Sequence, residues 1–127
     1  MMNKYAVIFL VTLLPLFSCK KIEGEGGRST IVGKVFMSDK SGNNQGEYFI
    51  PDYDVFIIYG EENDIYDEDM KTNFDGSFEF KNLREGTYTI YSYSEVSTNP
   101  SGLEPVFKTV TIGKKETVDI GTIEVSK

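Results

Sequence analysis

A chain of 127 residues with 39% hydrophobic and 26% charged side chains has the length and balance of one modest globular domain. It contains no His, no Trp and a single Cys, which excludes imidazole general bases, His-bearing zinc or haem sites and internal disulfides. Thirteen basic against twenty acidic side chains give a net charge of -7, which repels nucleic-acid phosphate and argues against a nucleic-acid partner.

The chain opens with Lys4 as its only early charge, followed by the continuous apolar run Tyr5 to Phe17. A short basic start before such a run matches a secretory leader. The run is too short to span a bilayer, which needs about 20 apolar residues, and Pro15 would break a helix near its end. The leader closes on Leu16-Phe17-Ser18-Cys19, with the chain's one Cys in the last place. This ending resembles the lipobox of bacterial lipoproteins. The resemblance implies that residues 1–18 are removed and that Cys19 carries a lipid anchor, so membrane attachment needs no spanning helix. Lys20 rather than Asp follows the Cys, which by the same resemblance favours the outer membrane. Residues 19–29 are Gly-rich with mixed charge and read as a lipidated flexible tether. Its acidic, Gly-containing stretch also resembles surface-export tethers, so the cell surface is favoured over the periplasmic face.

Residues 30–127 read as one strand-forming domain. Leu is scarce and Ala absent there, while Val, Ile, Thr, Tyr and Phe abound, and no stretch keeps a 3.6-residue apolar period. Strands are expected at Thr30 to Met37, Tyr53 to Gly60, a weak acidic Ile65 to Thr72, Ser77 to Lys81, Thr87 to Val96, Pro105 to Ile112 and Thr117 to Val125. Ser38 to Gly46 consists of turn formers. Tyr53 to Gly60 is apolar on both faces from Val55 onward and should be central. Asp75-Gly76 predicts a type I′ hairpin between its flanking strands. The expected core is Ile31, Val35, Val55, Ile57, Phe78, Phe80, Leu83, Tyr88, Ile90, Val110, Ile112, Val118 and Ile120. All-β architecture follows.

Within Thr72 to Ile90, the residues Thr72, Asp75-Gly76, Phe78, Phe80, Leu83, Gly86, Tyr88 and Ile90 form a pattern. It is similar to that of carboxypeptidase regulatory-like domains, which are transthyretin-like sandwiches related to Cna protein B-type repeats. The resemblance implies a seven-stranded antiparallel Greek-key β-sandwich. It implies no activity, because these are folding residues: Phe78 and Phe80 point together into a core, and Tyr88 can bury its ring while its hydroxyl finds a backbone partner. The transthyretin-like hydrolases require histidines that the chain lacks, so no enzyme is expected.

Two segments are candidates for binding. Glu61, Glu62, Asp64, Asp67, Glu68 and Asp69 crowd six carboxylates into nine residues. That density could hold calcium weakly together with Asp52 or Asp54, although the spacing is not that of an EF-hand and such runs are more often solvated faces or edge strands. No other cofactor is expected. Tyr91 and Tyr93 share one strand face opposite Tyr88 and Ile90, so both rings should be exposed, with Leu103 in the Ser97 to Glu104 loop beside them. Exposed rings suit a protein partner or a sugar. The expectation is a non-catalytic, outer-membrane-anchored lipoprotein whose sandwich is a structural or protein-interaction module of the cell envelope, the alternative being a surface glycan-binding module that uses these tyrosines.

Overall fold

The computed structural model describes residues 22–42, 45–61 and 64–127, so the leader, Cys19 and Glu62 lie outside the described residues. Eight strands follow in chain order: β1 (Glu25–Asp39), β2 (Gly46–Phe49), β3 (Asp54–Tyr59), β4 (Glu68–Lys71), β5 (Ser77–Leu83), β6 (Gly86–Glu95), β7 (Leu103–Ile112) and β8 (Thr117–Ser126). One sheet has β1 at its centre, with β8 along one side and β5 then β2 along the other. The second sheet runs β4-β3-β6-β7, all antiparallel. The sheets face each other across a core supplied by both: Ile31, Val35, Met37, Phe78, Phe80, Leu83, Ile123 and Val125 from the first, Val55, Ile57, Tyr88, Ile90 and Ile112 from the second. No helix occurs among the described residues.

The strand count and the pairing differ from the expected seven antiparallel strands. β2 is the additional strand: its four residues are exposed or half-exposed and carry no alternation that would mark them. They pair with the end of β1, which runs on through Ser38 and Asp39 where turn formers predicted a loop. β1 and β8 pair in parallel.

β1 also begins earlier than expected, at Glu25, inside the segment read as tether. Pairing with β5 at Leu83 draws Glu25 and Ser29 into the sheet, and Ser29 is fully buried. The buried Gly24 N–H donates to the Tyr88 hydroxyl at 2.8 Å, and that hydroxyl donates to the Arg84 carbonyl at 2.7 Å. Tyr88 thus buries its ring and closes its polar end on backbone, as its place in the sequence predicts.

The core expectation fails in β8 for a local reason. Val118 and Ile120 are only partly buried, whereas Ile123 and Val125 are core. Between the pairs Val32↔Asp119 and Lys34↔Thr122, β8 carries one residue more than β1. Gly121 takes φ 79° at this bulge, and the extra residue inverts the inward parity of the strand beyond it. Val110 is likewise partly buried.

Asp75-Gly76 turns the chain, but not as a hairpin. Only Gly76 has positive φ, and its N–H donates to Asn73 O at 2.9 Å around Phe74 and Asp75. The flanking strands then part into different sheets, β4 in the second and β5 in the first. Thr72 fixes the crossover: its hydroxyl donates to Ile50 O at 2.6 Å and accepts from Tyr53 N–H at 3.0 Å.

The chain enters the sandwich beside Tyr59, Arg84 and Gly86. The start of β3, the end of β6 and the β6–β7 turn lie at the opposite end, roughly 30 Å away along β6 at about 3.4 Å per residue.

Candidate functional site

The outer face of the second sheet is aromatic where a solvated sheet would be polar. Val55 and Ile57 of β3 turn inward, so Phe56 turns outward. In β6, Tyr88 and Ile90 are core, so Tyr91 and Tyr93 face out. Phe107 of β7 stands directly opposite Tyr91, and Phe56 stands opposite it on the other side. Pairing register therefore lines up Phe56, Tyr91 and Phe107 across three strands, with ring centroids 5.0 and 5.3 Å apart. Tyr66, just before β4, extends the row at 4.8 Å from Phe56. Tyr93 packs edge-on against both Phe56 (5.6 Å) and Tyr91 (5.5 Å).

Exposure is distributed unevenly over this cluster, and it corrects the expectation that Tyr91 is free. Tyr91 is only 6% exposed because both cross-strand neighbours and Tyr93 cover it. Burial, with Tyr93 beside it, pushes its hydroxyl up to about 12. Tyr93 and Phe56 are half-buried, and the open rings are Phe107 (56%) and Tyr66 (45%). Leu103 is the first residue of β7, pairs with Glu95 and is exposed beside Tyr93. Toward the chain-entry end the same face changes to hydroxyls: Thr87 lies 3.0 Å from Thr111 and Thr89 lies 3.4 Å from Thr109.

At the other end of this face, Phe56 and Tyr93 border a cavity of about 240 Å³ lined also by Asp52, Tyr53, Asp54, Glu95 and Leu103. The Tyr53 hydroxyl donates to Tyr93 O, and Ser92 of the inner face donates to Asp54 O, which ties the start of β3 to β6. Burial first, then the negative charges of Glu95 and Asp54, raise the Tyr53 pKa. Asp54 is ion-paired with Lys71 at 3.0 Å.

Sequence reasoning identified Tyr91, Tyr93 and Leu103 but missed Phe56, Tyr66 and Phe107. The available signal was the β3 segment being apolar on both faces, which requires something to cover its outer side; the cover is this ring cluster. The acidic segment is arranged differently from a calcium loop. Asp67 accepts the Tyr59 N–H at 2.7 Å, and Glu68 accepts the Tyr59 hydroxyl at 3.0 Å. Burial and then Glu68 raise the Tyr59 pKa. Asp69 lies across from Phe56, while Glu61 and Asp64 are exposed. Asp52 and Asp54 stand at the far end of β3 from Asp67. Among the described residues, no three acidic side chains converge as a metal site.

Fold and site together describe a two-sheet β domain with an aromatic face on one sheet. No family model matches the chain, and no curated protein matches it. Among solved structures, the chain is similar to a Pseudomonas aeruginosa protein provisionally described as carbohydrate-binding. The two share 17% identity and a TM-score of 0.54, over 82% of this chain and 91% of that one, a likeness of fold.

Proposed function

We propose that this chain is a non-catalytic carbohydrate-binding module of the bacterial cell envelope, held at the outer membrane through a lipid on Cys19. The observation that carries the proposal is the ring row Tyr66, Phe56, Tyr91 and Phe107 with Tyr93 beside it. The face of a pyranose presents C–H bonds with slight positive charge, which complement the negative π-face of an aromatic ring. Packing among the rings fixes them before a ligand arrives, so little side-chain entropy is lost on binding. The threonine hydroxyls of the same face are suited to sugar hydroxyls, being both donors and acceptors. The fold likeness to a protein described as carbohydrate-binding supports the same choice. The lipobox-like ending at Cys19 supports the anchor, and β1 carries the chain from its entry to the cavity end, which would hold the cavity away from the membrane.

The test is retention of the protein in gels cast with soluble glycans. Phe107→Ala and Tyr93→Ala should each weaken retention, and the double variant should lower affinity by about tenfold or more, the loss expected when central aromatic contacts are truncated. Unchanged retention of a folded double variant would sink the glycan assignment. Cys19→Ser should release the protein from membranes and abolish labelling by palmitate analogues. Protease shaving of intact cells tests the outward-facing placement.

A second use, as a protein-interaction module, is favoured by β7. Among the described residues this ten-residue strand pairs only with β6, which leaves an edge that an extended partner strand can join. In-cell cross-linking from β7 positions to one recurrent neighbour, without glycan retention, would favour this use.

A further inference from the structure

The cavity beside the ring cluster combines two features that together select a class of ligand. Its walls include Tyr53, Phe56 and Tyr93, and its rim carries Asp52, Asp54 and Glu95. Lys71 neutralises Asp54 at 3.0 Å. No ion pair among the described residues engages Asp52 or Glu95, so the cavity holds an excess of negative charge. Aromatic walls with uncompensated carboxylates favour an organic cation: the ring faces attract a positive charge, and the carboxylates accept its hydrogen bonds. A bare metal ion fits poorly, because three of the seven lining residues are aromatic and a fourth is Leu103.

Resting on the carbohydrate assignment above, we infer that the cavity bounded by Asp52, Tyr53, Phe56, Tyr93 and Glu95 is a subsite for a protonated amine, so the preferred ligand is a glycan containing free amino sugars. Position favours a sugar over a basic peptide. Phe56 and Tyr93 belong both to the cavity and to the ring cluster, so a sugar held against these two rings lies next to the cavity and can place a neighbouring residue in it. Burial first, and then Glu95 and Asp54, raise the Tyr53 pKa, so both carboxylates lie close enough to act on that hydroxyl. The parts are also held in place. The Asp52 N–H donates to Thr72 O at 2.9 Å, and Asn99 Nδ2 donates to Leu103 O at 2.8 Å, which fixes the opposite rim.

Binding of the full-length chain in detergent to four probes of equal length tests this: a glucosamine hexamer, its fully N-acetylated form, cellohexaose and hexalysine. Measurement at pH 6 and moderate salt keeps the sugar amine protonated. The glucosamine hexamer should bind about tenfold more tightly than either neutral sugar, within the range of a partly desolvated cation–aromatic contact. Glu95→Gln with Asp52→Asn should bring that ratio close to one. Glu124→Gln, an exposed charge on the other sheet, should leave it intact, separating a local effect from net charge. Both cavity residues are exposed, and Asn tolerates the positive φ of Asp52, so the variants should fold. Equal binding of the three sugars would overturn the amine subsite while leaving the carbohydrate assignment standing. Hexalysine binding as tight as the glucosamine hexamer would overturn it in favour of basic peptides. Failure of every sugar to bind would overturn the assignment and the subsite together.

Discussion

Replacing Tyr88 by Phe isolates the contact that ties the entering chain to the sandwich. The ring is fully buried and would stay in place, so the change removes one hydroxyl and little packing. That hydroxyl accepts from Gly24 N–H at 2.8 Å and donates to Arg84 O at 2.7 Å. Arg84 is exposed, and water can replace the hydroxyl at its carbonyl. Gly24 is buried, and its N–H would lose its partner. A net hydrogen bond contributes about 1 kcal/mol, and a stranded buried donor costs about 1 to 3 kcal/mol, so the expected loss is about 2 kcal/mol. For a domain of this size that is a fall in Tm of about 10 °C. Thermal melts followed by circular dichroism measure it, and amide exchange should quicken at Gly24 while the centre of β6 stays protected. Tyr48→Phe is the control: that ring is 39% exposed, its hydroxyl is 3.4 Å from Asp39, and the shift should stay below about 0.5 kcal/mol. A Tm fall under about 3 °C with Gly24 protection unchanged would refute the reasoning, because the energy would then lie elsewhere.

The titrating groups make two further predictions of opposite sign. Hydrogen bonds from Ser41 to Asp39 and from Ser77 to Asp75 lower both carboxyl pKa values, so their stabilisation is present above the unfolded pKa near 4 and is lost as pH falls through the lowered values. The urea midpoint should therefore drop between pH 5 and pH 2.5, and Ser41→Ala should shrink the drop; an identical drop in the variant would remove Asp39 from the account. Tyr91 is the reverse case, with its pKa raised to about 12 by burial, so its contribution is intact below the unfolded value near 10 and is lost as pH rises toward 12. Tyr91→Phe should lose less stability than the native chain between pH 9.5 and 11.5, as urea midpoints would show; parallel losses would place the alkaline sensitivity in other tyrosines.

Much of the fold was legible because period-two patterning and turn residues are local properties. β3, β5, β6 and β7 lie close to where alternation and composition put them, and Phe78, Phe80, Tyr88 and Ile90 are buried as their parity requires. What was illegible depended on partners distant in sequence. β2 is a strand because the end of β1 offers it an edge, and the Gly121 bulge inverts β8 because β1 sets the register beside it. Tyr91 illustrates the same division in the site. Its outward direction follows from its own strand, but its burial follows from Phe56 and Phe107, which pairing brings from 35 residues before it and 16 after it.

The sequence by itself determined an all-β domain, the inward residues of β3, β5 and β6, its acidic charge and a lipobox-like ending at Cys19, since propensity, alternation and motif are carried by adjacent residues. Tertiary structure alone decided that an eighth strand would join the two sheets, that one strand pair would be parallel, and that rings from β3, β6 and β7 would meet in one face beside an acidic cavity. The physical reason is that side-chain direction is set by a residue's own backbone, whereas neighbours across a sheet are set by register, which no single strand contains.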